Sequence, residues 1–241
     1  MKLDPRVNII QTRLSKIKKI IAVSGFKGGV GKSSIACVLS LLLAKQGGAS
    51  SLSTKKVGLM DLDLTGNCDN TILGIKTQYP EEEHGVQPVE ENGIKFISSY
   101  FYSQGKATHF RGDEISNILL ELFAITDWGE LDYLILDMPP GLSDTALDII
   151  RWIPQAEVLA ISTPSILSRN LVAKSAKLLK EQKVEIIGFV ENMSDGKARE
   201  LDGLKILGSI PKDENFEQAI GDADKLLETN FAKALKQIDG F

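Results

Sequence analysis

The chain has 241 residues, with 28 Lys and Arg against 32 Asp and Glu, for a formal net charge of −4. That balance weighs against a general nucleic-acid coat. The length suits one large α/β domain that buries roughly three quarters of its unfolded surface without staples. Two cysteines, Cys37 and Cys68, make no disulfide framework and fit a reduced cytosol. No secretory leader, no apolar run of membrane-spanning length and no repeat is read from the sequence.

Residues 1–19 are basic and mildly amphipathic, with Leu14 and Ile17 as apolar contacts, and are expected to form an N-terminal arm with room for a short helix. The apolar run Ile20–Val23 reads as the first strand and opens the core, 20–241. Phe26-Lys27-Gly28-Gly29-Val30-Gly31-Lys32-Ser33-Ser34 then reads as a phosphate-cradling loop running into a helix. Gly28, Gly29, Val30, Gly31, Lys32, Ser33 and Ser34 are the expected nucleotide contacts. Lys32 can reach the β- and γ-phosphates, and the Ser33 hydroxyl can ligate Mg²⁺. The strict loop pattern wants Gly where Phe26 stands, and a second lysine, Lys27, comes next. The helix from Lys32 to about Gln46 is apolar nearly all round, as a helix buried on a sheet should be, and holds Cys37. Residues 47–53 read as a surface loop.

Val57–Met60 is a short buried strand that ends in Asp61-Leu62-Asp63. Carboxylates at the C-terminal end of a parallel strand stand where open α/β sheets bind ligands. Turn-capping aspartates are the alternative. Cys68 follows in a polar loop, 64–70. Residues 76–93 are acidic and expected to be a solvated loop, and Gly93–Ile97 the next strand. The aromatic and basic mixture from Tyr100 to Arg111 reads as an interface or a packed loop in preference to a single-strand nucleic-acid platform. Neither His84 nor His109 has partners at metal-ligand spacing.

Asp113 is placed to cap a helix through about Ile125. Tyr133–Leu136 is a buried strand ending in Asp137-Met138-Pro139-Pro140-Gly141, a strand-terminal carboxylate for Mg²⁺ and a turn whose Gly141 N–H can approach a γ-phosphate. Strands are expected at Val158–Ile161, Ile186–Val190 and Ile206–Pro211, with a helix starting near Ser168 after the first. Asn192, past the end of the second, is a candidate reader of the adenine edge. Its spacing to Asp195 also touches a guanine-reading pattern, with Met193 where that pattern has lysine. Pro211 and the loop Lys212-Asp213 are placed to close over the base. The segment from Glu214 is expected to be helical, with Leu227, Phe231, Leu235 and Ile238 on one stripe that packs on the core in preference to a membrane.

Lys27-Gly28-Gly29-Val30-Gly31-Lys32-Ser33 resembles the deviant Walker A motif of the ParA/MinD/nitrogenase-iron-protein class of ATPases. The resemblance implies a mostly parallel central sheet with helices on both faces, ATP with Mg²⁺, and a homodimer bridged by ATP in which Lys27 acts across the interface. It implies that Asp61 supports Mg²⁺ through water, that Asp63 orients the attacking water, and that Asp137 is the Walker B carboxylate. Trp128–Tyr133, Asp137–Gly141, Glu191–Ser194, Leu207–Pro211 and Phe110–Gly112 are similar to the Mrp/ApbC branch, in register from about Ile20 to Pro211. That branch carries iron–sulfur clusters, usually on a Cys-x-x-Cys shortly after its Asn-Met-Ser. Residues 194–201 contain no cysteine, and Thr65-Gly66-Asn67-Cys68 replaces the branch's Tyr-Gly-Pro-Ser. A cytoplasmic, slow ATPase with an unnamed client protein is therefore expected, without an iron–sulfur cluster of its own and without nucleic acid. A MinD/ParA-like positioning ATPase on membrane or DNA is the alternative.

Overall fold

The computed structural model describes residues 4–46, 54–64, 66–76, 80–82, 85–98, 101, 112–197, 199–201, 203–238 and 240. The readings for His84 and for Tyr100, Tyr102 and residues 103–111 lie outside them. Eight strands form one sheet: β1 (Ile17–Gly25), β2 (Val57–Asp61), β3 (Val89–Glu91), β4 (Ile94–Ser98), β5 (Leu131–Asp137), β6 (Glu157–Ser162), β7 (Ile186–Ser194) and β8 (Ile206–Pro211). Their order is β3-β4-β2-β5-β1-β6-β7-β8. All neighbours are parallel except β3 with β4.

The central strands are apolar without alternation because both faces are covered. All five residues of β2 are buried, as are the last six of β1. Helix α2 (Lys32–Lys45) packs on β1, β2 and β5, and ten of its fourteen residues are buried. The short helix α3 (Asp69–Leu73) lies against it. A second group is α1 (Pro5–Leu14), α4 (Gly112–Ile125) and α5 (Asp144–Trp152), which pack on one another. Helix α6 (Ile166–Glu181) rests on β6 and β7. Among the described residues no helix is long and apolar enough to cross a membrane.

The structure departs from the sequence reading in several places, and helices α3 and α5 are not among the elements expected from the sequence. The first strand starts at Ile17, so it takes in the end of the expected arm. Helix α1 buries Val7, Ile10 and Leu14 in the core, and Asp4 caps it by accepting from the Arg6 N–H at 2.9 Å. Part of the acidic stretch before Gly93 pairs with β4 as β3. Helix α4 begins at Gly112, so Asp113 falls inside it. The C-terminal segment is three short helices, α7 (Phe216–Ala219), α8 (Ala223–Glu228) and α9 (Asn230–Lys236). The first break falls at Gly221, whose φ is +88° and whose N–H donates to the Ile72 carbonyl at 2.9 Å, and the second at Thr229. Phe231, Leu235 and Ile238 are buried in the core as expected, with Leu226 in place of Leu227.

Candidate active site

Strand order creates the site. β2, β5 and β1 lie side by side, and the register sets Asp61 opposite Asp137 and Asp137 opposite Val23. The glycine-rich loop leaves β1 just beyond that row, so two carboxylates and the loop share one end of the sheet.

The loop turns through Gly29 (φ +75°) and Gly31 (φ +84°). Phe26 is buried, so its side chain anchors the loop while Lys27, Gly28 and Gly29 are exposed. The glycine missing at position 26 has a neighbour that serves the close approach. A Cβ on Gly25 would stand 2.6 Å from the Val30 side chain. Nothing lies within 4 Å of a Cβ placed on Gly28 or Gly29, which leaves an open cradle. Helix α2 starts at Lys32 with no side-chain cap, so its first N–H groups face that cradle unopposed.

Lys32 is buried, and its Nζ sits 2.8 Å from Asp137 Oδ1 and 3.3 Å from Ser33 Oγ. The Ser33 hydroxyl donates to Asp137 Oδ2 at 2.7 Å. Burial alone disfavours the Lys32 charge, but Asp137 outweighs it, and the ammonium's pKa is raised. Asp61 accepts from the Ser98 hydroxyl and from the Asp63 N–H, each at 3.1 Å. Burial, then the charge of Asp137, pushes Asp61 up to about 7. Asp137 is raised too, by burial, with Lys32 opposing. Asp63 is half-buried at the edge of this group, where its charge acts on Lys32 and Asp137, and it accepts the Gly66 N–H at 2.9 Å.

One site residue escaped the sequence reading. Asp69, at the start of α3, is wholly buried, and its carboxylate meets those of Asp61 and Asp137 with ligand atoms within 4.8 Å of one another. Burial and then those two charges raise its pKa well above the usual carboxylate range. In sequence it is one polar residue in a polar loop, with nothing to single it out.

Two expectations are altered by the geometry. The Gly141 N–H donates to the Gly25 carbonyl at 3.0 Å, so in this conformation it is not free for a phosphate. Asn192 lies within β7 and is buried, and its amide donates to the Val30 carbonyl at 2.8 Å. It thus props the loop, and only its flank faces the adjoining pocket. That pocket has a volume of ≈ 380 Å³ and is lined by Gly31, Ser34, Asn192, Met193, Pro211 and Lys212 among others. A nucleoside is within its range. Met193 is held at φ +55° on its rim.

The residues fit a phosphate chain with a hard cation: an uncapped helix start, an open cradle, a hydroxyl and buried carboxylates. Thiolate chemistry fits poorly. Cys37 is fully buried with its pKa well raised by burial, and burial pushes half-buried Cys68 up to about 11 although Ser33 bonds to it.

Residues 16–203 match the ParA family described as NUBPL iron-transfer P-loop NTPase. The chain belongs to this family. It is 38% identical over 191 residues to a chloroplastic Fe-S cluster assembly factor of Arabidopsis thaliana, across 76% of this chain and 34% of that protein. It is 36% identical over 187 residues to the iron-sulfur cluster carrier protein of Escherichia coli K12, across 76% and 49%. The chain thus spans a third to a half of the length of these relatives. A nucleotide-binding protein of Archaeoglobus fulgidus, solved in complex with ADP, superposes with a TM-score of 0.73 at 29% identity, covering 92% of this chain and 93% of that one. The cell division ATPase MinD of Pyrococcus furiosus shares the fold, with a TM-score of 0.64 at 19% identity and coverage of 91% and 96%. The Mrp/ApbC stretches Trp128–Tyr133, Asp137–Gly141 and Glu191–Ser194 all fall within the matched span.

Proposed function

We propose that this chain is a Mg²⁺·ATP-binding, slowly hydrolysing switch that dimerises around ATP and serves iron–sulfur cluster transfer. The observation that carries it is the convergence of Lys32 and Ser33 on Asp137 at the head of α2, beside Asp61. With ATP, the 28–34 backbone holds the phosphates, and Lys32 leaves Asp137 for them. Ser33 would hold Mg²⁺, with Asp137 and Asp61 behind it, and the ion would neutralise phosphate charge. Asp63 orients the attacking water. Lys27, exposed on the cradle's rim, reaches a partner's ATP. Ser34 and Pro211 flank the base in the pocket beside Asn192. Release of the Lys32–Asp137 pair and of the Gly141 N–H from Gly25 is the switching step.

The test is steady-state ATP hydrolysis by Lys32→Ala. A drop of about 10²–10³-fold is expected, and undiminished hydrolysis would sink the reading.

The relatives named as cluster carriers and assembly factors support iron–sulfur cargo. With two protonated, buried or half-buried thiols, this chain is proposed to take thiolate ligands from its client, in a reducing cytoplasm. Anaerobic incubation with iron and sulfide is expected to leave no cluster absorption on the isolated chain. A stoichiometric cluster would reverse this.

A further inference from the structure

The proposed ATP site has no use for Asp69. Its oxygens nevertheless point into the buried carboxylate cluster with those of Asp61 and Asp137. The other two are provided for. Asp61 receives the Ser98 hydroxyl and the Asp63 N–H, and Asp137 receives Lys32 and Ser33. Asp69 is wholly buried, and among the described residues no N–H or O–H group donates to Oδ1 or Oδ2; only the weak Cys37 thiol lies against the carboxyl group. A buried carboxylate without a strong donor either takes a proton or meets a cation. One ammonium, Lys32, faces three carboxylates.

Asp69 is also held in place. Ile72 and Leu73 of α3 are buried, and the Gly221 N–H caps the Ile72 carbonyl. The side chain therefore does not reach the cluster by chance motion of a loose loop. The three groups offer oxygen only, which selects hard cations. Oxygens bound to one ion at about 2.0–2.6 Å stand at most about 4–5 Å apart, the spread found here.

We propose that Asp69, Asp61 and Asp137 form a site for one hard divalent cation, Mg²⁺ or Mn²⁺, which this chain fills in the absence of nucleotide. The phosphates are not needed to complete it, because Asp69 supplies the third anionic ligand. The cation is then in place before ATP arrives, and Lys32 is freed from Asp137 for the phosphates.

The experiment titrates the full chain, stripped with chelator and free of nucleotide, with Mn²⁺, and reads free Mn²⁺ by electron paramagnetic resonance. One Mn²⁺ per chain, displaced by Mg²⁺, is expected. Asp69→Asn is expected to bind about 10-fold or more weakly. Its circular dichroism should match that of the parent, because it loses only an unpaired buried charge. Mn²⁺ should raise the melting temperature of the parent and not of the variant. No stoichiometric Mn²⁺ on the parent overturns the site, and equal affinity in Asp69→Asn overturns the role of Asp69. Because no nucleotide is present, either result leaves the hydrolysis test of Lys32→Ala to be judged separately.

Discussion

Gly31 and Asn192 are 161 positions apart and occupy one space. A Cβ on Gly31 would collide with the Asn192 amide, and its φ of +84° disfavours any side chain. Asn192 is there to serve the buried Val30 carbonyl. Asn192→Ala should leave that carbonyl unpaired and lower stability by about 1–3 kcal/mol. Gly31→Ala should lose more, since left-handed strain of about 1–2 kcal/mol adds to the collision. The double variant is expected to be less destabilised than the sum of the two, because removing the amide makes room for the methyl. Denaturant melts of all three variants check this, and strict additivity would separate the two residues. The loop is therefore shaped from β7 as well as from its own glycines.

Helix α1 decides where the folded body begins. A basic, weakly amphipathic segment reads as an arm because lysines and arginines interrupt its apolar residues. Yet Ile10 and Leu14 are among the largest fully buried side chains, and Arg6 reaches Asn117 and Glu121 on α4. Ile10→Ala is expected to lower stability by about 2–5 kcal/mol, read as a lower urea midpoint with unchanged slope. A midpoint within error of the parent would return the segment to the status of an arm. Helix α5 did carry a legible signal, Ser143 before buried Thr145, Ala146, Ile149 and Ile150. At nine residues it is easily lost between two stronger strands. The three short C-terminal helices share one apolar stripe, and a stripe says nothing of where Gly221 will turn the chain.

The protein as a unit presents its cradle on the surface, with Lys27, Gly28 and Gly29 exposed. Lys27 is exposed on the loop, and the proposal that it serves a second copy rests on the resemblance of this motif. Sedimentation with Mg²⁺ and a non-hydrolysable ATP analogue should show a dimer, and with ADP a monomer. Lys27→Ala should remain monomeric in both. One mass under all conditions would remove the trans role of Lys27. Asp69 and Lys27 can be tested separately: Asp69 is wholly buried in the carboxylate cluster and Lys27 is exposed on the loop.

Contiguous features were legible from residue order alone. The loop from Phe26 to Ser34, Asp61-Leu62-Asp63 and Asp137–Gly141 each sit at the end of an apolar run, because a buried parallel strand must be apolar and its ligand-binding end must not be. The parallel sheet and the family were implied by the resemblance that Lys27–Ser33, Asp137–Gly141 and Glu191–Ser194 carry. What residue order could not supply was convergence across long separations. Asp69 joins Asp61 and Asp137 because α3 brings its carboxyl group against theirs. Asn192 becomes a prop because β7 and the loop meet in space. The Gly141 N–H is engaged because it finds the Gly25 carbonyl. Each depends on distances set by packing, and polar residues in polar loops carry no periodicity that would announce them.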